Sequence, residues 1–116
     1  MSNRSPITTH VLNTSLGKPG KGIKANLEML RGDRWEELGR GVTNEDGRIA
    51  DLLSPEHKLA AGIYRLTFNI LHYFESQSIE GFYPYVQIAF EVRDGEQHYH
   101  VPLLLNPFGY STYRGS

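Results

Sequence analysis

Hydrophobic and polar residues alternate with a period of two along most of this chain. The clearest run begins at Ile23, where Ile23, Ala25, Leu27 and Met29 are separated by lysine, asparagine and glutamate. Four further segments show the same alternation: residues 7–13, 63–70, 85–92 and 97–104. A period of two places successive side chains on opposite faces, which is typical of half-buried β-strands.

Turn-forming residues separate the alternating segments. The main turns are predicted at Gly32-Asp33, Asn44–Gly47, Asp94-Gly95 and Asn106–Gly109, and residues 17–22 are predicted to form a loop. Shorter strands are predicted at residues 34–43, 48–52 and 110–113. About eight short strands with a turn between neighbours predict an all-β sandwich.

Helix is expected to contribute little. Residues 72–78 have mixed polarity without a period of two, and we place one short helix there. Residues 54–57 could begin a helical turn, because Pro55 suits a first helical position. Residues 1–5 are polar and are expected to be loose.

Composition narrows the possible functions. The 116 residues are expected to form one domain, 1–116. Lys plus Arg number 12 and Asp plus Glu 13, so neither a nucleic-acid nor a membrane partner is expected. Cysteine is absent, which excludes disulfides and zinc–thiolate sites. With no signal-peptide core and no peroxisomal address, a cytoplasmic location is predicted.

Three histidines are expected to share the outer face of the sandwich. If Val11, Tyr99 and Val101 face the core, alternation turns His10, His98 and His100 outwards. Outward histidines are most often solvated polar residues, and an open sheet face is a poor site for hydrolysis. A second subunit laid over this face would turn it into a walled cleft.

The two ends of the chain carry distinctive motifs. Residues 99–105 read Y-H-V-P-L-L-L and the chain ends in Y-S-T-Y-R-G-S, while residues 9–20 read T-H-V-L-N-T-S-L-G-K-P-G. Between them lie T-N-E-D-G-R-I at 43–49 and G-I-Y-R-L-T-F at 62–68. These motifs resemble those of the 5-hydroxyisourate hydrolases, the enzyme branch of the transthyretin family, over nearly the whole chain. The resemblance implies a sandwich of two four-stranded sheets with one short helix. It also implies a homotetramer, a dimer of dimers with sites in the channel between dimers.

The same resemblance implies the site residues. By position, the family's catalytic residues match His10, Arg48 and His100, and its substrate-binding terminal segment matches Ser111, Thr112, Tyr113, Arg114, Gly115 and Ser116. An imidazole can take a proton from water and deliver one to a leaving nitrogen. A guanidinium offers a planar fork of donors to the carbonyls of an oxidised purine. Asn13, Asn106 and Gly20 depart from the family, which usually has Asp, Ser and Ala there.

The implied activity is hydrolysis of 5-hydroxyisourate in urate catabolism, giving 2-oxo-4-hydroxy-4-carboxy-5-ureidoimidazoline without a cofactor. Direct attack by water is favoured over a covalent intermediate, because Ser116 has no evident base and cysteine is absent. A metal held by His10, His98 and His100 would lack a carboxylate to complete its ligands. The alternatives are a transthyretin-like carrier of a small hydrophobic ligand and a structural sandwich. A carrier would need apolar walls in place of these histidines and this arginine.

Overall fold

The computed structural model describes residues 4–116, which form two packed β-sheets and one short helix. The strands are β1 (Ile7–Asn13), β2 (Lys18–Pro19), β3 (Lys24–Arg31), β4 (Arg34–Val42), β5 (Arg48–Ile49), β6 (Gly62–Asn69), β7 (Val86–Val92), β8 (Tyr99–Asn106) and β9 (Gly109–Thr112). The helix, α1, spans Ile70–Glu75 between β6 and β7. Within residues 4–116, no helix has the length and apolar character needed to cross a membrane.

One sheet has the order β2-β1-β8-β9, with β5 also paired to β1, and the other has the order β4-β3-β6-β7. β1 and β8 run parallel, whereas the other pairs are antiparallel. The predicted all-β sandwich is confirmed, but one sheet has five strands instead of four. The extra strand is β2, which lies in the predicted loop and pairs with Leu12 and Asn13.

The core lies between the sheets and follows the predicted alternation closely. In β3 and β6 the alternate residues on one face of each strand are all buried: Ala25, Leu27, Met29, Tyr64, Leu66 and Phe68. In β7, Val86, Ile88 and Val92 are buried while Phe90 is only partly covered. Alternating side chains from two facing sheets therefore supply most of the apolar burial that stabilises the fold.

The helix begins two residues before its predicted start. Ile70, Tyr73 and Phe74 are its buried residues, and their spacing puts them on one helical face against the core. Asn69 caps the helix, with its side chain accepting from the His72 backbone N–H. The sequence pattern had assigned Ile70 to the preceding strand, because its burial fits either element. The predicted helical turn at residues 54–57 is a single turn closed by His57 N–H donating to the Ser54 carbonyl.

The amino-terminal prediction is wrong at Ser5. This residue is fully buried, and its backbone N–H donates to the Ala50 carbonyl at 3.1 Å. Its hydroxyl donates to the Ile7 carbonyl at 2.6 Å and accepts from Leu53 N–H at 3.2 Å. Ser5 thus ties the start of β1 to the segment after β5, while residues 1–3 lie outside the described part of the chain.

A buried threonine joins the end of β4 to the segment just before the start of β3. Thr43 is 3% exposed, and its hydroxyl accepts from Ile23 N–H at 2.8 Å and donates to the Gly20 carbonyl at 2.6 Å. The turn that leads to β5 starts at the next residue. Thr43 therefore fixes the chain just before the segment that carries Arg48.

Replacing Thr43 with valine should lower the free energy of unfolding by about 1–3 kcal/mol, because a buried N–H and a buried carbonyl lose their partner. Thr67→Val is the matched control: its hydroxyl accepts an exposed hydrogen bond from Gln87, and its loss should cost within about 0.5 kcal/mol. Urea unfolding at one protein concentration measures both values. Equal stabilities for the two variants would contradict this role of Thr43.

Candidate active site

Strand register brings all three predicted catalytic residues onto one face of the five-stranded sheet. His10 in β1 lies directly opposite Arg48 in β5. On the other side of β1, Thr8 lies opposite His100, and His10 lies opposite Pro102. Side chains that face each other across strands, or lie two residues away on the diagonal, are within reach of one another. Two imidazoles and a guanidinium therefore share a single patch.

The turn before β5 fixes the position of Arg48. The Asn44 side-chain oxygen accepts from the backbone N–H groups of Asp46 and Arg48 at 2.9 and 3.0 Å. Gly47 has φ +75°, and a Cβ there would collide with the Val11 carbonyl. The Gly47 carbonyl in turn accepts from Val11 N–H at 2.7 Å. Glycine at this position lets the turn sit directly against β1, which holds Arg48 beside His10.

The carboxyl terminus closes another side of the patch. Gly115 N–H donates to the His100 carbonyl at 2.8 Å, which continues the antiparallel register of β8 and β9 beyond Thr112. A Cβ on Gly115 would lie 2.6 Å from Cδ2 of His100. The terminal backbone thus packs on the edge of the imidazole, and only glycine permits this approach without moving the ring.

These elements form the walls of an open cleft with a volume of about 420 Å³. It is lined by Arg4, Thr8, Thr9, His10, Arg48, Ile49, Ala50, His100, Tyr113, Gly115 and Ser116. The structure therefore gathers six of the nine predicted site residues around one cleft: His10, Arg48, His100, Tyr113, Gly115 and Ser116. A larger groove, of about 690 Å³, lies on the outer side of the other sheet and contains none of them.

The remaining three predicted residues lie outside this cleft in the single chain. Ser111 is exposed on β9 opposite Leu104, which places it on the same sheet face as His100. Thr112 and Arg114 line a second groove of about 200 Å³, and His100 and Tyr113 line both this groove and the cleft. The Arg114 guanidinium donates to the Gln97 side chain at 3.0 Å and lies 4.4 Å from the centre of the Tyr99 ring. Their proposed contact with substrate stays a prediction.

Burial and a nearby positive charge favour the neutral form of both site imidazoles. Partial burial lowers the pKa of His10 and of His100, and the Arg48 guanidinium lowers the pKa of each further. Asp46 opposes this effect at His10 through a backbone hydrogen bond and its carboxylate. Since an unperturbed histidine titrates near pH 6.5, both rings are mainly uncharged at neutral pH and can accept a proton.

Two neighbours of His100 received no role in the sequence analysis. The Thr8 hydroxyl lies 2.8 Å from Nδ1 of His100 and 3.0 Å from Nε2 of His98. Thr8 is a small hydroxyl residue in a strand, and only the register of β1 against β8 shows that it lies between two histidines. The sequence offered one indication: Thr8 lies two residues before His10, which places both side chains on the same face of β1.

Asn13 has a structural role away from the imidazoles. It is buried, its amide donates to the Tyr73 hydroxyl at 3.0 Å, and its oxygen accepts from Ser15 and Leu16 backbone N–H groups. The amide therefore fixes the loop after β1 against the helix. Within residues 4–116, no group of three or more His, Cys, Asp or Glu side chains is arranged to hold a metal ion.

Comparison with known proteins agrees with this architecture. Residues 7–115 match the model of the HIUase/Transthyretin family, and the chain belongs to that family. It is 44% identical to the 5-hydroxyisourate hydrolase of Mus musculus, over 97% of this chain and 96% of the mouse protein. The Klebsiella pneumoniae 5-hydroxyisourate hydrolase structure superposes with a TM-score of 0.83 at 37% identity, covering 95% of this chain and 97% of that one. Sea bream transthyretin in complex with thyroxine gives 0.88 at 27% identity, covering 96% and 95%.

Replacing Arg48 with glutamine should raise the pKa of both His10 and His100, because the imidazolium forms lose a repelling charge. The pKa of His98 should not follow, since its lowering comes from burial and Arg4. Nuclear magnetic resonance titration of the imidazole protons measures all three in one sample. Arg40→Gln, in the opposite sheet, is the control and should leave these values unchanged. A variant with unaltered His10 and His100 titrations would show that Arg48 does not act on them.

Proposed function

We propose that this protein hydrolyses 5-hydroxyisourate, opening its six-membered ring to give 2-oxo-4-hydroxy-4-carboxy-5-ureidoimidazoline. The observation that carries the proposal is the meeting of His10, Arg48 and His100 at one cleft bounded by Tyr113, Gly115 and Ser116. Membership of the family and the 5-hydroxyisourate hydrolases among the similar proteins support the choice of substrate.

Hydrolysis of a cyclic amide needs a group that takes a proton from water and a group that gives one to the leaving nitrogen. His10 and His100 supply two imidazoles whose lowered pKa keeps them uncharged and ready to accept a proton. The hydroxide equivalent adds to the ring carbonyl, the carbon–nitrogen bond breaks, and the same proton is returned to that nitrogen. The products are a carboxylate and a ureido group, with no redox step.

Arg48 acts on the substrate in this scheme. Its guanidinium is exposed at the cleft and offers donors to the carbonyl oxygens of an oxidised purine, whose delocalised negative charge it also attracts. The attraction between Arg48 and this carbonyl oxygen becomes stronger as the oxygen turns into an oxyanion during attack. Tyr113 and Ser116 bound the cleft on the opposite side and orient the ring.

Attack by water is favoured over a covalent intermediate. The chain has no cysteine, and the Ser116 hydroxyl has no hydrogen-bonded base among the described contacts. A serine without a base is a weak nucleophile. Neutral imidazoles beside a polar cleft fit general acid–base catalysis instead.

The proposed assembly is a homotetramer made of two dimers. Support comes from the cleft itself, which is open in the single chain, and from Ser111 on the same face as His100. A neighbouring copy over this face would exclude water and bring further walls to the site. The exposed ring of Tyr113, which lines this cleft, provides apolar surface for such a contact.

The proposal is tested by adding the protein to 5-hydroxyisourate made with urate oxidase and following its ultraviolet absorbance. Faster decay than in buffer, with a circular dichroism signal from one product enantiomer, is the expected result. The transthyretin-like carrier remains the alternative, and it would slow or leave unchanged the decay of this compound while binding thyroxine, the ligand in the sea bream structure.

Replacing His10 or His100 with alanine should lower kcat by roughly 10²–10⁴-fold, because each change removes a proton-transfer group. His57→Ala is the matched control, since His57 is exposed in a turn away from the cleft. Steady-state kinetics on folded protein, checked by circular dichroism, gives the comparison. Wild-type turnover in either site variant would remove that histidine from the mechanism.

Gly115→Ala should lower kcat/KM by roughly tenfold or more, because the added methyl displaces the His100 ring or the terminal strand, and small misplacements are costly in catalysis. Gly109→Ala is the control within the same hairpin, where a Cβ would meet only the Asn106 side chain at 3.7 Å. Equal kinetics for the two variants would mean that the terminal backbone does not position His100.

A further inference from the structure

Thr8 links His98 and His100 on the face that carries the site. The register places Thr8 opposite His100, and His98 lies two residues earlier on the same face of the chain. The distances from the Thr8 oxygen to Nδ1 of His100 and Nε2 of His98 are 2.8 and 3.0 Å, both within hydrogen-bonding range. The threonine is 6% exposed, so water competes little for its hydroxyl.

Among the described residues the Thr8 hydroxyl has no partner other than these two rings, so its single proton is satisfied only when it donates to one ring and accepts from the other. In one arrangement Nδ1–H of His100 donates to Thr8, and Thr8 donates to an unprotonated Nε2 of His98. In the other, Nε2–H of His98 donates to Thr8, and Thr8 donates to an unprotonated Nδ1 of His100. The first leaves Nε2 of neutral His100 with a free electron pair, whereas the second puts the His100 proton there.

We propose that His98 acts through Thr8 as a positioning residue that holds neutral His100 with its proton on Nδ1. Nε2 of His100 is then the basic atom available at the cleft. This inference rests on the proposed function for its meaning, but the tautomer itself is a property of the free protein. It gives His98 and Thr8 a role that neither the family motifs nor the lining of the cleft assigned.

The arrangement works only while His98 is neutral. A protonated His98 carries hydrogen on both ring nitrogens, so Thr8 must accept from it and donate to Nδ1 of His100. Acidification would thereby move the His100 proton to Nε2 before His100 itself becomes charged. The hydroxyl link therefore makes the basicity of His100 depend on the charge of its neighbour.

The surrounding charges oppose that protonation. Burial and Arg4 lower the pKa of His98, while His100 also faces Arg48 and His10. On the terminal segment, the Arg114 guanidinium contacts the His98 carbonyl at 3.3 Å and adds a further positive group nearby. Glu56 and Glu96 line the same groove as His98, together with the cations Arg4 and Lys58. Burial and Arg4 nevertheless lower the pKa of His98, which favours its neutral form.

Two threonine variants separate the hydroxyl from the shape of the side chain. Thr8→Val keeps the volume and removes both hydrogen bonds, whereas Thr8→Ser keeps the hydroxyl and loses one methyl. We expect Thr8→Val to lower kcat/KM by roughly 10- to 100-fold, as is usual for groups that orient a functional ligand, and Thr8→Ser to restore most of it. A serine variant as impaired as the valine variant would contradict a role for the hydroxyl.

Two histidine variants test the partner of Thr8. His98→Gln places an amide oxygen near the former Nε2, where it can accept from Thr8 but cannot titrate. His98→Leu removes the acceptor. We expect the glutamine variant to retain more activity than the leucine variant, with the acid limb of its pH–rate profile moved to lower pH. His72→Leu, on the exposed face of α1, is the control. Identical pH profiles for wild type and both His98 variants would overturn the proposal.

The most decisive readout needs no substrate. Nitrogen-15 chemical shifts of the imidazoles at pH 7.5 distinguish a protonated from an unprotonated ring nitrogen. Wild-type His100 should carry its proton on Nδ1, and Thr8→Val should lose this preference. A wild-type His100 protonated on Nε2 would refute the inference. Failure of wild type to hydrolyse 5-hydroxyisourate would instead refute the proposed function, whatever the tautomer is.

Discussion

The parallel pairing of β1 with β8 is the constraint on which the site depends. It sets Thr8 opposite His100, and the antiparallel pairing of β1 with β5 sets His10 opposite Arg48. Because side chains alternate between faces, a slip of one residue in β1 would send His10 to the core. The buried residues Ile7 and Val11 oppose such a slip, since it would expose both. The apolar core therefore enforces the geometry of the polar face.

The second constraint is electrostatic. A guanidinium beside two imidazoles disfavours their protonation, and partial burial acts in the same direction. In the proposed mechanism this one cation has two effects: it would attract an anionic purine, and it keeps the two histidines unprotonated. The terminal backbone completes the site through Gly115, whose missing side chain lets the chain end close against His100. In the proposed mechanism, catalysis at this face needs the two neutral imidazoles, the Arg48 charge and the closely packed chain end together.

The sequence predicted the fold well where alternation was unbroken. The inward residues of β3 and β6 are examples, because each strand is buried on one face only. The sequence-based prediction of the fold failed where tertiary contacts outweigh the local pattern of hydrophobic and polar residues. Ser5 is fixed by hydrogen bonds to residues about 45 positions away, which no local signal reveals. β2 exists because Lys18–Pro19 finds an edge of β1, and α1 starts early because Ile70 packs as a helical residue.

The site shows the same division. The motifs identified His10, Arg48 and His100, and the cleft unites them, but Thr8 required the register of two strands 90 residues apart in sequence.

The most direct test of the proposed site is the pH dependence of kcat/KM for 5-hydroxyisourate, corrected for uncatalysed decay. We predict an acid limb with its midpoint below about 6.5, since burial and Arg48 lower the pKa of both imidazoles. A midpoint above that value, or a rate independent of pH from 5 to 8, would contradict it.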